Sequence, residues 1–353
     1  MYTREILPPI ASPVVDGKPV FGTWNRAFEK VDLKDIRKPY QFPLLNLLKD
    51  CRIKEWQYFN VQDNAYLLEA VFSNFKLYKI AQIFVFDKES GKKSVFRKIN
   101  PASGLKLPLS LSNSHLENNS SQFFFSIHNW LDADTIKLDI NIEKSKSFAR
   151  KQPQLTAHLT YNMSAQEVTP AVVSLGFSEQ RSMCAYKALA PVHGSMIIDE
   201  KQIDLKQDAC SGIFIDYKGY FPYRMMTTYC SAAGFIEENK RFGFHIAENQ
   251  TKETNKNNEN ALWTNGKLTP LPPVHITMPN GHGADWVIQD VEGMVDLTFT
   301  PNDHNRYGSN ILVSKTEFIT QLGVYNGMLM NSDGEQFQIK NFFGMGEKNY
   351  LRV

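Results

Sequence analysis

The chain has little cysteine: Cys51, Cys184, Cys210 and Cys230 in 353 residues, scattered, with no Cys-x-x-Cys pair. That excludes the common zinc and dithiol signatures and leaves buried free thiols as the expectation. No apolar run approaches the ~18 residues of a membrane span. Residues 1–16 show no basic stretch followed by an apolar core and a small-residue cleavage site. The chain therefore reads as soluble and cytoplasmic, without a transmembrane segment. Net charge is also scarce, +2 from 39 Lys and Arg against 37 Asp and Glu. A nucleic-acid partner would need a basic face or run, and none is present. The short clusters Lys92-Lys93 and Arg150-Lys151 read as solvated turns. There is no His-Glu-x-x-His, no Gly-x-Ser-x-Gly and no Walker loop, and the eight histidines have no His-x-His or His-x-x-x-His spacing. His275 and His282 flank Pro279 and Gly281 in a loop and read as exposed polarity. Neither a metal nor a cofactor is expected.

What the sequence does have is period two. Ile136, Leu138, Ile140 and Ile142 alternate with Lys137, Asp139, Asn141 and Glu143. Leu155, Ala157, Leu159 and Tyr161 repeat the pattern, as do Val295, Leu297 and Phe299. Successive strand residues point to opposite faces, so each run predicts a half-buried strand. Turn residues at 87–91 and 331–334 sit between apolar runs, as hairpin loops do. The one convincing helix is short, around Leu44–Cys51. Residues 250–260 are polar and read as a mobile surface loop. Many short strands with regular turns predict an all-β fold, two tandem lipocalin-like (calycin) barrels with little helix. A length of 353 residues suits two domains. The sparse punctuation at Pro191 and Gly194 puts them at residues 1–190 and 191–353.

Candidate chemistry concentrates in the second half. From Gly212 to His245, aromatics mix with small residues, one Arg and one Asp, a composition that suits a cavity wall. Tyr217, Tyr220, Arg224 and Tyr229 are the candidate ligand contacts there, with His245 beyond them. Arg224 paired to Asp216 or Glu259 in a plain core is the alternative, because a buried cation needs a partner. Glu259, Asn260 and Trp263 form a second group, in which Trp263 either caps a barrel mouth or packs in the core. Glu347, among glycines and aromatics, is the candidate general acid, with His245 as the second catalytic candidate. The site is expected inside the second barrel, since polar residues of the first half look outward-facing.

Short segments in order along the chain resemble the bacterial domain-of-unknown-function family DUF2804. They are 54–59 (Lys-Glu-Trp-Gln-Tyr-Phe), 216–220 (Asp-Tyr-Lys-Gly-Tyr), 243–245 (Gly-Phe-His), 260–263 (Asn-Ala-Leu-Trp) with Gly266, 295–301 (Val-Asp-Leu-Thr-Phe-Thr-Pro), 321–323 (Gln-Leu-Gly) with Tyr325 and Gly327, and 344–347 (Gly-Met-Gly-Glu). The family tends to carry tryptophans at the positions of Thr228 and Tyr229, and an asparagine at that of His245. More distantly it is similar to AttH-like proteins and carotenoid hydratases, which implies a pair of lipocalin-like barrels and brings no activity with it. The functional expectation is an apolar small-molecule ligand, a lipid, isoprenoid or polyketide-like molecule. It is either turned over by a cofactor-free hydratase, lyase, isomerase or cyclase or held by a carrier. The third alternative is an interaction module with filled barrels. Oligomeric state is left open.

Overall fold

The computed structural model describes residues 2, 4–101, 107–144, 152–237, 239–311 and 314–352. Arg150-Lys151 lies outside them. The protein is nearly all-β, with 4% helix, and forms two curled half-barrels, one from each large antiparallel sheet. The alternating runs are strands as expected: Ile136, Leu138, Ile140 and Ile142 are all fully buried, while Lys137 and Asn141 face solvent.

In the first sheet, neighbouring strands run in the order Lys93–Pro101, Tyr78–Asp87, Tyr66–Asn74, Lys54–Gln62, Ser211–Gly219, Ser182–Ile198, Leu155–Asn162, Thr135–Ile142, Phe123–Trp130 and Ser114–Ser120. The second sheet runs Lys267–Pro270, Ala261–Thr264, Lys240–Glu248, Arg224–Glu237, Gln336–Arg352, Ser314–Met330, Val295–Ile311, Trp286–Gln289 and His275–Thr277. Pairing of the main strands is antiparallel throughout. The first sheet curls until its outer strands meet through side chains, Asn100 donating to Asn118 Oδ1 at 2.6 Å.

Each half-barrel fills its own interior. Phe72 stacks on Phe125 at 4.3 Å in the first. In the second, Phe244 packs edge-on against Tyr325 at 4.9 Å, and Trp286 against Phe299 at 5.3 Å. A third core lies between the two sheets, where Leu189, Ile213, Ile215 and Tyr217 meet Met225, Tyr229, Ala233 and Leu351.

Three sequence expectations change. Pro191 and Gly194 do not mark where the sheets part. Both lie inside the strand Ser182–Ile198, where residues up to Pro191 pair with Ser211–Gly219 and residues from Val192 on pair with Leu155–Asn162. The punctuation is a barrel corner, the usual role of glycine within a strand. The sheets separate between Gly219 and Arg224. Cys51 is exposed, on the helix Asn46–Arg52, whereas the other three thiols are buried. The polar segment 250–260 ends buried: Asn258, Glu259 and Asn260 are 5%, 1% and 0% exposed. Arg4 from the N-terminal segment donates to Asn258 Oδ1 and to the Asn260 carbonyl, which supplies the partners these groups need away from water.

Gly194 tests the corner. Its φ is +147°, and a Cβ there would stand 1.9 Å from the His158 carbonyl oxygen. Gly194→Ala is expected to lose at least about 2 kcal/mol in chemical denaturation, against about 1 kcal/mol for Gly281→Ala, where φ is +86° and the space is open.

Candidate functional site

The larger of the two described cavities, about 130 Å³, lies between the half-barrels rather than inside the second. The alternation of strand side chains makes this possible. In the first sheet, inward residues such as Phe59 and Phe214 fill the barrel, while Trp56, Tyr58, Glu69, Val71, Ile215 and Tyr217 project from the opposite face into the cavity. The second sheet answers with cross-strand rows. Tyr229 stands opposite Glu347, Glu347 opposite Thr320, and Thr320 opposite Asn305. One pleat repeat away, His245 stands opposite Ser231 and Ser231 opposite Met345.

Two polar centres lie in this apolar wall or directly behind it. The first is a pair of glutamates, one from each half-barrel. Tyr58 donates to Glu69 Oε1 at 2.5 Å and approaches Met345 Sδ of the opposite sheet at 3.9 Å. Glu347 accepts from Thr320 Oγ1 at 3.1 Å and from Asn349 Nδ2 at 3.3 Å. Burial raises the Glu69 carboxyl above the ordinary carboxylate range, and the charge of Glu347 raises it further. Burial likewise raises Glu347, opposed by its Asn349 and Thr320 hydrogen bonds. Two carboxyl groups sharing an apolar site resist simultaneous ionisation, so the pair holds a proton at neutral pH.

The second centre is built on Lys187, whose side chain is fully buried. Its Nζ lies 2.6 Å from Glu259 Oε2, 3.2 Å from the Glu259 carbonyl oxygen and 2.9 Å from His245 Nδ1. An ammonium has three protons and no lone pair, so all three neighbours are acceptors. Glu259 also accepts from Tyr217 Oη and from Asn249 Nδ2, the latter at 2.5 Å. Burial brings the Lys187 amine down to about 8 against the attraction of Glu259. Burial, then the nearby Lys187 charge, holds the His245 imidazole well below its usual range. His245 is therefore neutral, with Nδ1 accepting and the proton on Nε2. Its ring lies 5.2 Å from that of Tyr229.

The family profile described as "Domain of unknown function (DUF2804)" matches residues 9–353. The chain belongs to this family. Among solved structures it is similar to kievitone hydratase from Nectria haematococca, at 11% identity and a TM-score of 0.45, covering 85% of this chain and 89% of that one. It is also similar to CdiB from Acinetobacter baumannii, at 7% identity and a TM-score of 0.19, covering 85% and 60%. No curated protein matches the sequence. Likenesses this remote say nothing about ligand or mechanism.

Of the residues singled out in the sequence of this family member, Tyr217, Tyr229, His245 and Glu347 come together on the cavity wall. Glu259 stands behind it, paired with Lys187 and not with Arg224. Arg224 is exposed, because it has the opposite parity to Met225, Thr227 and Tyr229 at the outer end of its strand. Asp216 instead accepts from Gln57 at 2.9 Å on the barrel-side face. Tyr220 lies past the end of its strand; it packs on Tyr40 at 5.9 Å and donates to the Leu33 carbonyl at 3.2 Å. Asn260 braces backbone, taking the Ala247 N–H at 2.8 Å and donating to the Pro272 carbonyl at 2.8 Å. Trp263 is fully buried beyond the cavity and donates to the Thr169 carbonyl at 2.9 Å.

Sequence reasoning missed Trp56, Tyr58, Glu69 and Lys187. A signal existed for two of them. Glu69 interrupts Tyr66-Leu67-Leu68 and Ala70-Val71-Phe72, and Lys187 interrupts Ala185-Tyr186 and Ala188-Leu189-Ala190. A lone charge within an otherwise apolar strand must be paired or neutralised when buried.

Trp263 behaves as core in this geometry. Trp263→Ala is expected to cost about 3–5 kcal/mol of stability while leaving small-molecule affinity per folded molecule unchanged, measured by denaturation and titration on the same preparation. The Lys187–Glu259 pair gives a contrast. Lys187→Ala alone should cost about 3–5 kcal/mol by stranding Glu259, whereas Lys187→Met combined with Glu259→Leu should recover most of that loss.

Proposed function

We propose that this protein binds an apolar, unsaturated small molecule between its half-barrels and moves a proton on it, in a cofactor-free isomerisation or hydration. The observation that carries this reading is the pair of buried glutamates, one from each sheet, on a single apolar cavity. Their raised pKa values suit proton transfer to carbon. A carboxyl kept protonated near neutral pH can protonate a carbon–carbon double bond, and its ionised partner can take a proton away. In isomerisation, one glutamate gives a proton to one alkene carbon and the other removes a proton from the saturated carbon attached to the second alkene carbon, so the double bond moves by one position. In hydration, the carbocation formed by protonation takes a water oxygen, and the proton shed by that water returns to a carboxylate.

The wall also supplies groups waiting for a partner. Thr227 Oγ1, Ser231 Oγ, Tyr307 Oη and Asn349 Oδ1 line the cavity and have no hydrogen-bond partner among the described residues. Buried polar groups in native proteins are normally paired, so these groups are met by something other than the described residues, a bound water or a ligand. Size bounds that ligand. A cavity of roughly 150 Å³ takes up benzene, and this one is about 130 Å³. A compact ring compound fits better than a long lipid. The filled interiors of both half-barrels disfavour a ligand inside either one.

Native mass spectrometry of the protein as purified from cells is expected to show a retained small molecule, lost in Val71→Trp, which fills the cavity. Absence of any bound mass, with no stabilisation by added bicyclic hydrocarbons, would overturn the reading. The glutamate pair has a pH signature of its own. Because the folded pKa of Glu69 is raised, its protonation stabilises the fold fully below the ordinary value of 4.5, and that contribution is lost as pH rises through the raised value. Glu69→Gln should therefore gain stability relative to wild type as pH increases above 4.5, read from denaturation midpoints across the pH series. On the ligand so identified, Glu347→Gln should slow turnover by about 100-fold or more.

A further inference from the structure

We propose that Lys187, His245 and Ser231 form a recognition subsite for an acceptor oxygen, so that the ligand is an unsaturated ring compound bearing a carbonyl, and Lys187 is the positioning residue that aims the histidine. This rests on the cavity being a ligand site, and adds to it a chemical class.

Lys187 has no proton to spare. Its three are committed to Glu259 Oε2, the Glu259 carbonyl and His245 Nδ1, at 2.6, 3.2 and 2.9 Å. A fixed donor on Nδ1 leaves imidazole only one tautomer, with its proton on Nε2. The imidazole belongs to the cavity wall, and Nδ1 carries its one side-chain hydrogen bond among the described residues. Ser231 is the direct cross-strand neighbour of His245, with Cβ atoms about 5 Å apart in such pairs. It is 7% exposed, and its hydroxyl has no partner among the described residues. The Ser231 hydroxyl and the His245 imidazole of adjacent strands thus meet on the wall, the hydroxyl with nothing protein-made to receive it. Tyr217 is already committed to Glu259, so it adds a ring face and no free donor. Tyr217, Tyr229 and Trp56 surround this end with flat aromatic surface, the tilted Trp56 and Tyr217 rings 5.0 Å apart.

The spacing gives the subsite a purpose. His245 and Glu347 lie two strands and one pleat repeat apart, roughly 12 Å between backbone positions on a flat sheet. With side chains reaching inward, a bicyclic ligand could set its oxygen against His245 and Ser231 and its double bond against the glutamates. Donors at a conjugated carbonyl also withdraw electron density, which eases proton removal further along the conjugated system.

The test uses two probes of one shape, indane and 1-indanone, titrated into the full-length protein. A carbonyl buried without a donor loses affinity through desolvation, so the hydrocarbon would win in an indifferent cavity. The expected result is that wild type binds 1-indanone at least as tightly as indane. Ser231→Ala, which removes only an unpartnered hydroxyl, should weaken 1-indanone about five- to tenfold and indane less than about twofold. His245→Phe should act in the same direction and more strongly. Nitrogen NMR of wild-type protein labelled in histidine should show His245 with a bare Nδ1 and a protonated Nε2. In Lys187→Met combined with Glu259→Leu, that single tautomer should give way to exchange. Preference for indane in wild type, an unchanged 1-indanone affinity in Ser231→Ala, or a protonated Nδ1 would each overturn the subsite while the cavity reading stands. Binding of neither probe overturns both.

Discussion

The structure depends on strands that are buried on both faces. From Ser182 to Val192 and from Ser211 to Gly219, every residue is buried. One face of the Ser211–Gly219 strand sends Phe214 into the first half-barrel, where it stacks on Phe59 at 4.6 Å. The other sends Ile213, Ile215 and Tyr217 toward the second sheet. Such double burial is usual in parallel sheets covered by helices and unusual in antiparallel ones, which commonly keep one face wet. Here the cover is a second half-barrel. Cross-sheet contacts hold the two together around the cavity: Tyr78 Oη near Thr316 Oγ1 at 3.4 Å, Gln62 donating to the Ala233 carbonyl, and Lys93 on Asp303 at 2.6 Å.

Polar residues on a doubly buried face cannot stay inert. Away from water a charged group must find a partner or lose its charge, and the molecule uses both solutions a short distance apart. Lys187 and Glu259 keep opposite charges by pairing and are completed by Tyr217, Asn249 and His245. Glu69 and Glu347 line the cavity from opposite sheets with hydroxyl and amide neighbours. Among the described residues no cation hydrogen-bonds to either, so a proton is their remaining counter-charge. One end of the cavity is accordingly a fixed donor site and the other a proton reservoir. A small apolar molecule bridging the two would be oriented at one end and react at the other.

The period-two pattern determined the architecture, because alternation reports burial of one face whatever the rest of the chain does. Ile136 to Ile142 and Leu155 to Tyr161 are paired strands with the expected faces inward. Tyr217, Tyr229, His245 and Glu347 could be singled out for the same local reason, polar or aromatic residues in segments otherwise built of small and apolar ones. The local pattern misplaced Arg224 and Tyr220, since parity at a strand end and the turn beyond it depend on where the sheet stops. It also turned a barrel corner at Pro191 and Gly194 into a domain boundary, because a bend within a strand and a break between domains use the same two residues.

What only the tertiary structure decided is which outer faces meet. Glu69 and Glu347 are far apart in sequence and belong to different sheets, and nothing in either segment specifies the other. The same holds for Lys187, on one sheet, and for Glu259 and His245, on the other side of the interface. A strand's own pattern says that a face is covered; it does not say by what. The cover here is chosen by the packing of two curved surfaces. That packing places the cavity between the half-barrels and not within one, and brings its charged groups into reach of each other.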